Sequence, residues 1–299
     1  MKCLRCERGC VAMTPPPLLL ALAACLAIAA STLFARPLHA QSSPRFHLVD
    51  ARTGAAAQPA IPDESTFVLA TAELVAVSGR LPPAESRVVV PTMRAAYARL
   101  LRDEGAVPSP WTAEPPGPML VIEPPRAAPS SVGIVFLHGA GGSFAVQCSW
   151  LARAGERLNA RTVCPSAGRE ARWTSAADRA ELDRAIAYLR ARGATQIYVA
   201  GLSSGAVALS RLAQRLARTI DGFVLISGAA TGARPTRRPT LVIQSRDDHM
   251  TPPRLARAYV RGAARHVRYV ELDGTHFVFA ERTDALCTAI ADWLDAQPR

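Results

Sequence analysis

The pentapeptide Gly201-Leu202-Ser203-Ser204-Gly205 has the composition of a sharp turn that presents a nucleophilic serine. An apolar run over 196–200 precedes it, and apolar residues at helical spacing over 206–220 follow it. A serine on a strand-to-helix turn is accessible to substrate, and small glycines on both sides allow the chain to reverse. The pattern predicts that Ser203 is the nucleophile. Ser204 is the alternative register, and the glycine positions favour Ser203.

A nucleophilic serine requires a base that accepts its proton and an acid that orients the base. His276 is the candidate base, because it follows the alternating apolar segment 266–272 and therefore lies in a loop at the end of a predicted strand. A histidine in an ordinary surface loop is the alternative interpretation of this position. Asp247 and Asp248 follow the apolar run 240–244, and the residues alone leave both open as the acid.

Apolar segments of strand length alternate with helical segments such as 178–192. This alternation predicts an α/β fold with a mostly parallel central sheet flanked by helices on both faces. Because the carboxyl ends of parallel strands meet at one edge of a sheet, we expect the serine, the histidine and the acid to converge there. The predicted strands are 119–122, 133–137, 160–164, 196–200, 222–226, 241–244 and 267–272.

The chain order serine, aspartate, histidine, with each residue at a strand end, resembles the α/β-hydrolase family over about residues 118–296. The resemblance implies that Asp248 rather than Asp247 is the acid. One position departs from the family pattern: the acid loop commonly opens with His-Gly, whereas this chain has Gln244-Ser245.

The segment His138-Gly139-Ala140-Gly141-Gly142-Ser143 is similar to the family's loop that donates a backbone N–H to an oxyanion. The resemblance therefore implies an oxyanion hole formed by the amides of Ala140 and Ser204, with Gly141 as the alternative to Ala140. It also implies a structural role for His138. A phosphate-binding role for these glycines is disfavoured, because the lysine of such loops is absent.

The first 40 residues predict a signal peptide, with Lys2, Arg5 and Arg8 ahead of an apolar run at 18–34 and cleavage after Ala40. We therefore expect a periplasmic or secreted protein with no stable membrane span after cleavage. Two alternatives stay open: an uncleaved leader that acts as a short anchor, and a lipid anchor on Cys25.

Residues 118–299 are expected to form the catalytic domain, preceded by an extension at 41–117 that is less regular. The segment 93–101 predicts a short helix, and 67–77 is compatible with a strand or a helix. The proline-rich segment 108–118 indicates a linker or a wrapping segment. The extension as a whole is expected to supply early strands of the sheet or a flap that faces the substrate.

The cysteines allow two interpretations, and the charge pattern bears on the partners. Cys148 and Cys164 form a disulfide, or remain buried thiols together with Cys287; both interpretations stay open. The net charge is +11, but Lys2 is the only lysine, which indicates a compositional preference for arginine and a solvated surface. No nucleic-acid partner, metal or cofactor is expected.

Only about thirteen residues separate the strands that end near Ile226 and begin at Thr240, which leaves no room for a lid domain there. The chain therefore resembles lidless esterases and dienelactone-hydrolase-like enzymes, and we expect a small-molecule or polymeric ester as substrate. The candidate pocket walls are Trp150, Trp173, Leu202 and Phe277. A peptidase, a polyester depolymerase and a non-catalytic binding protein of the same fold are the alternatives.

Overall fold

A computed structural model describes residues 45–79, 81–126, 130–261 and 265–298. The predicted leader at 1–40, with its cleavage site and Cys25, lies outside these residues. Among the residues described, no helix is long and apolar enough to cross a membrane.

One sheet of eight strands organises the described part of the chain, in the order β1-β2-β4-β3-β5-β6-β7-β8. Strand β2 is antiparallel to β1 and β4, and all other neighbours are parallel. The sequence-based prediction of a mostly parallel central sheet is therefore confirmed. The strands are Phe46–Asp50 (β1), Pro118–Ile122 (β2), Val132–Leu137 (β3), Arg161–Cys164 (β4), Gln196–Leu202 (β5), Gly222–Ile226 (β6), Thr240–Ser245 (β7) and Val267–Leu272 (β8).

Helices cover both faces of the sheet. Along β3, Ile134 and Phe136 belong to one hydrophobic core, whereas Val135 and Leu137 belong to a second core on the opposite face. Such a strand reads as a continuous apolar run because neither face meets water. The helices are Glu64–Val77 (α1), Pro83–Glu104 (α2), Ala145–Gly155 (α3), Ala176–Ala191 (α4), Ser204–Leu216 (α5), Pro253–Arg261 (α6), Val278–Glu281 (α7) and Thr283–Asp295 (α8).

The two cores divide these helices between them. Helices α1, α2, α3, α7 and α8 contribute side chains to the core that contains Ile134 and Phe136. Helices α4, α5 and α6 contribute to the core that contains Val135 and Leu137. Cys148, Cys164 and Cys287 are buried free thiols, so the structure contains the thiol alternative rather than the disulfide.

The extension supplies both an early strand and helices. Strand β1 pairs with β2, and helices α1 and α2, which we call the helical hairpin, pack against each other. Asp63 begins α1 by accepting a hydrogen bond from the Thr66 amide at 3.2 Å, so the ambiguous segment 67–77 is helical. The predicted helix at 93–101 is the second half of α2, which continues back through Pro91.

A buried carboxylate attaches the helical hairpin to the body of the protein. Both oxygens of Glu64 accept from the Ala145 amide, at 2.9 and 3.0 Å, at the first turn of α3. The Tyr97 hydroxyl donates to Glu64 at 2.9 Å, and the Ser109 hydroxyl donates to it as well. Burial raises the pKa of Glu64 despite these hydrogen bonds. The carboxylate therefore satisfies backbone donors of α3 at an electrostatic cost.

The raised pKa of Glu64 predicts a pH-dependent stability. A group whose pKa is higher in the folded state stabilises the fold below its unfolded pKa, and this stabilisation is lost as the pH rises through the folded pKa. We expect Glu64→Gln to lack this loss, because an amide does not titrate. The difference in melting temperature, Glu64→Gln minus wild type, should therefore increase as the pH rises from about 4 to about 8. Thermal unfolding of both proteins across this range measures the effect, and a difference that stays constant with pH would contradict it.

Candidate active site

The turn after β5 forces Ser203 into a strained backbone conformation, with φ 54° and ψ −121°. A Cβ on Gly201 would lie 2.7 Å from the carbonyl carbon of Gly205. A Cβ on Gly205 would lie 2.6 Å from the carbonyl oxygen of His138. Both distances are too short for real atoms, so the two glycines are needed for the chain to reverse here. The predicted strand-turn-helix is present, and Ser203 is its apex.

Three side chains from separate segments form a continuous hydrogen-bonded chain. Ser203 Oγ lies 2.9 Å from Nε2 of His276, and Nδ1 of His276 lies 2.9 Å from Oδ2 of Asp248. His276 is 4 % exposed and Asp248 is 2 % exposed. Asp247, the competing acid, is exposed, and its amide bonds to the carbonyl of Gly274. The structure therefore brings together the three residues that the sequence indicated, with Asp248 as the carboxylate.

The environment of Asp248 keeps it ionised. Burial alone would raise its pKa, but hydrogen bonds from His276 and Thr251 outweigh burial and hold the pKa of Asp248 below its ordinary value. Its oxygens also accept from the Met250 amide at 2.9 Å and from Gln244 Nε2 at 2.9 Å. An ionised carboxylate at Nδ1 favours the tautomer of His276 in which Nε2 is free to accept a proton from Ser203.

Gln244 and Ser245, which depart from the family pattern, both support the site. Gln244 Nε2 donates to Asp248 and also to the carbonyl of Thr251 at 3.1 Å. The Ser245 hydroxyl donates to the carbonyl of Thr275 at 2.6 Å, directly before His276. Through these two side chains, the end of β7 fixes both the loop that carries Asp248 and the loop that carries His276.

Two backbone N–H groups beside Ser203 are available to a ligand. Within the described residues, neither the Ala140 amide nor the Ser204 amide donates to a protein acceptor. Ser204 is the first residue of α5, where backbone N–H groups have no partner in the helix. The Gly141 amide, the alternative to Ala140, donates to the carbonyl of Arg169 at 2.7 Å and is therefore engaged.

His138 anchors the loop that carries Ala140. Its Nδ1 donates to the carbonyl of Gly139 at 2.8 Å, and its Nε2 accepts from the Ala167 amide at 3.0 Å. Burial lowers the pKa of His138 to about 4, so the imidazole is neutral near pH 7. Its environment fits the structural role that the resemblance implied.

A buried glutamate of the helical hairpin contacts the histidine loop. Glu85, on the first turn of α2, is 0 % exposed. Its two oxygens accept from the His276 amide at 3.0 and 3.1 Å, and one of them accepts from the His249 amide at 3.5 Å. Glu85 thus holds the backbone of His276, the candidate base, and the backbone of His249, which follows the candidate acid Asp248. No motif in the sequence indicated it.

A cavity of about 790 Å³ adjoins Ser203 and His276. The helical hairpin forms one wall, and the loop at 139–141, the start of α3 and the segment 276–279 form much of the rest. Leu202 and Phe277, two predicted walls, line the cavity. Trp150 and Trp173 do not, because both are buried in the cores. The lining residues of the hairpin and its connection are Phe67, Val68, Thr71, Ala72, Val75, Leu81, Val89 and Met93.

The sequence matches no model of a known protein family, and it matches no curated protein. The structure is similar to Est1E from Butyrivibrio proteoclasticus with bound ferulic acid, with a TM-score of 0.51, 14% identity, and coverage of 60% of this chain and 94% of that chain. It is similar to a thermostable esterase, with a TM-score of 0.51, 18% identity, and coverage of 60% of this chain and 58% of the other.

A third similar structure is a putative α/β hydrolase of unknown function from Agrobacterium tumefaciens, with a TM-score of 0.50 and 20% identity. The match covers 63% of this chain and 95% of that chain. At these identities the similarities show the fold. The chain has the α/β-hydrolase fold, as the sequence predicted.

The position of Glu85 predicts that it supports the geometry of the base. Removing its carboxyl group in Glu85→Ala leaves the buried amide of His276 unpaired, and a displacement of about 1 Å at a catalytic group lowers rates by about 100-fold. We expect kcat to fall by about this factor. Glu85→Gln retains one acceptor oxygen and should recover part of the loss. Turnover of a chromogenic hydrolase substrate and thermal unfolding are measured on both variants. A Glu85→Ala protein that is less stable but keeps its kcat would contradict the prediction.

Proposed function

We propose that this chain is a serine hydrolase that cleaves carboxylic esters through an acyl-enzyme on Ser203. The hydrogen-bonded chain from Ser203 through His276 to Asp248 carries the proposal. The amides of Ala140 and Ser204, which have no acceptor among the residues that the structure describes, and the adjoining cavity are consistent with it. Such an arrangement suits acyl transfer, since it supplies a nucleophile, a base and donors for a developing oxyanion.

In the acylation step, His276 Nε2 accepts the proton of Ser203 while Oγ forms a bond to the carbonyl carbon of the ester. The carbonyl oxygen becomes negative and accepts hydrogen bonds from the Ala140 and Ser204 amides. One such donor contributes about 3 kcal/mol to lowering the barrier. The bond from carbon to the alcohol oxygen then breaks, and His276 returns the proton to the leaving alkoxide.

In the deacylation step, water takes the place of the alcohol. It gives a proton to His276 and forms a bond to the acyl carbon, and the same two amides stabilise the oxyanion. The bond to Ser203 Oγ breaks, the serine recovers the proton, and the carboxylic acid departs. Asp248 stays ionised throughout and stabilises the protonated imidazole. The mechanism requires no metal or organic cofactor.

The shape of the cavity and the leader sequence bear on the substrate and the location. Ester substrates of small size are favoured over extended peptides, because the helical hairpin walls the cavity on one side. The ferulic acid bound by Est1E is an aromatic carboxylic acid, the kind of product that a cavity of about 790 Å³ can hold.

The leader supports export to the periplasm or outside the cell, with cleavage after Ala40.

A fluorescent fluorophosphonate probe tests the nucleophile directly. We expect the purified wild-type protein to be labelled and to hydrolyse p-nitrophenyl esters, and Ser203→Ala to lose labelling and at least about 1,000-fold in kcat. Ser204→Ala is the matched control, because it removes the neighbouring hydroxyl and keeps the backbone amide. Folding of each variant is checked by thermal unfolding. Labelling that persists in a folded Ser203→Ala protein would rule out the assignment.

A further inference from the structure

Five aromatic side chains line the cavity beside Ser203, together with aliphatic and polar residues. The rings of Phe67 and Trp111 lie 4.7 Å apart between centroids. Trp111 Nε1 donates to the carbonyl of Gly141 at 2.9 Å, so this pair is held against the loop that carries Ala140. Aromatic rings are favourable partners for a planar aromatic group. The aromatic residues that line the cavity are Phe67, Trp111, Phe144, Phe277 and Phe279.

One buried polar side chain in this cavity has an unmet hydrogen-bonding requirement. Gln147 lines the cavity and is only 7 % exposed. Within the part of the chain that the structure describes, its Oε1 is buried and has no hydrogen-bond partner. An unpaired buried polar group is destabilising, and folded proteins contain few of them. A bound ligand with a hydrogen-bonding group would remove this cost.

The backbone around Gln147 is fixed before any ligand binds. The Gln147 amide donates to the carbonyl of Phe144 at 3.1 Å, within the first turn of α3. The preceding amides, of Ala145 and Val146, both donate to the buried carboxylate of Glu64. Helix α3 therefore presents the Gln147 side chain from a rigid position, which is what specific recognition of a polar group requires.

We infer that Gln147 recognises a hydroxyl group on an aromatic ring, so the preferred substrates are esters that contain a hydroxylated aromatic group. The inference rests on the proposed ester hydrolysis at Ser203. A hydroxyl group both donates and accepts, so it can pair with the carbonyl oxygen or with the amino group of the glutamine. The aromatic walls hold the ring, and Gln147 selects the substituent.

Matched pairs of esters test this inference. Methyl 4-hydroxycinnamate is compared with methyl cinnamate for a ring in the acid part. The acetates of 2-(4-hydroxyphenyl)ethanol and 2-phenylethanol are compared for a ring in the alcohol part. We expect wild type to favour the hydroxylated member of at least one pair by about 10-fold in kcat/KM, which corresponds to about 1.4 kcal/mol. In Gln147→Leu this ratio should fall to about one.

Two controls separate recognition from a general effect. Gln58→Leu makes the same chemical change at an exposed position and should keep the wild-type ratio. Gln147→Met retains an unbranched side chain of similar length, and its preference for the hydroxylated ester should also disappear. This second variant guards against a folding defect in Gln147→Leu. Equal activity of wild type on both members of both pairs would overturn the inference. So would a Gln147→Leu protein that keeps the preference or loses activity equally on all four esters.

Binding of the free acids gives a readout that does not depend on turnover. Isothermal titration of 4-hydroxycinnamic acid and cinnamic acid should show tighter binding of the hydroxylated acid to wild type and equal binding to Gln147→Leu. The phosphonate probe could label Ser203 while neither assay distinguishes the hydroxylated compounds from the others. This result would overturn the role of Gln147 and leave the proposed hydrolysis intact. Absence of labelling and of turnover, with discrimination in binding, would contradict the hydrolysis and support the recognition.

Discussion

The backbone of Ser203 is the constraint around which the rest of the site is arranged. A positive φ is unfavourable for serine. The start of α5 packs closely against Gly201, and the end of β3 with His138 packs closely against Gly205, so neither position has space for a side chain. The turn holds the hydroxyl at hydrogen-bonding distance from His276 and begins α5 directly behind it. One tight turn thus positions both Ser203, the proposed nucleophile, and the Ser204 amide, one of the proposed oxyanion donors.

The helical hairpin belongs to the site as much as the central sheet does. Glu85 accepts from the backbone of His276, and Glu64 accepts from the backbone at the start of α3. Both carboxyl groups are buried, so each is tied to its backbone partners by the cost of leaving buried hydrogen-bonding groups unpaired. The same hairpin contributes one wall of the cavity. An element outside the sheet therefore couples the shape of the cavity to the position of His276.

Local patterns explain which parts the sequence predicted. A strand buried on both faces appears as an apolar run, and such a run locates Ser203. The alternating segment that forms β8 locates His276. The choice of Asp248 over Asp247 needed the resemblance, because both follow the same strand. Helix α1 stayed ambiguous because the periodicity of a short apolar segment does not distinguish a helix from a strand. Glu85 could not be found, since its partner lies 191 positions away and is a backbone N–H, which leaves no side-chain signal.

A crystal structure of the protein inhibited with an aryl phosphonate would test the proposed site most directly. We expect a covalent bond from Ser203 Oγ to phosphorus and a phosphonyl oxygen within about 3 Å of the Ala140 and Ser204 amides. We also expect the aryl group to lie in the cavity against the helical hairpin, with Glu85 still bonded to the His276 backbone. Phosphorus on another residue, or an aryl group outside the cavity with the hairpin displaced, would contradict the proposed site.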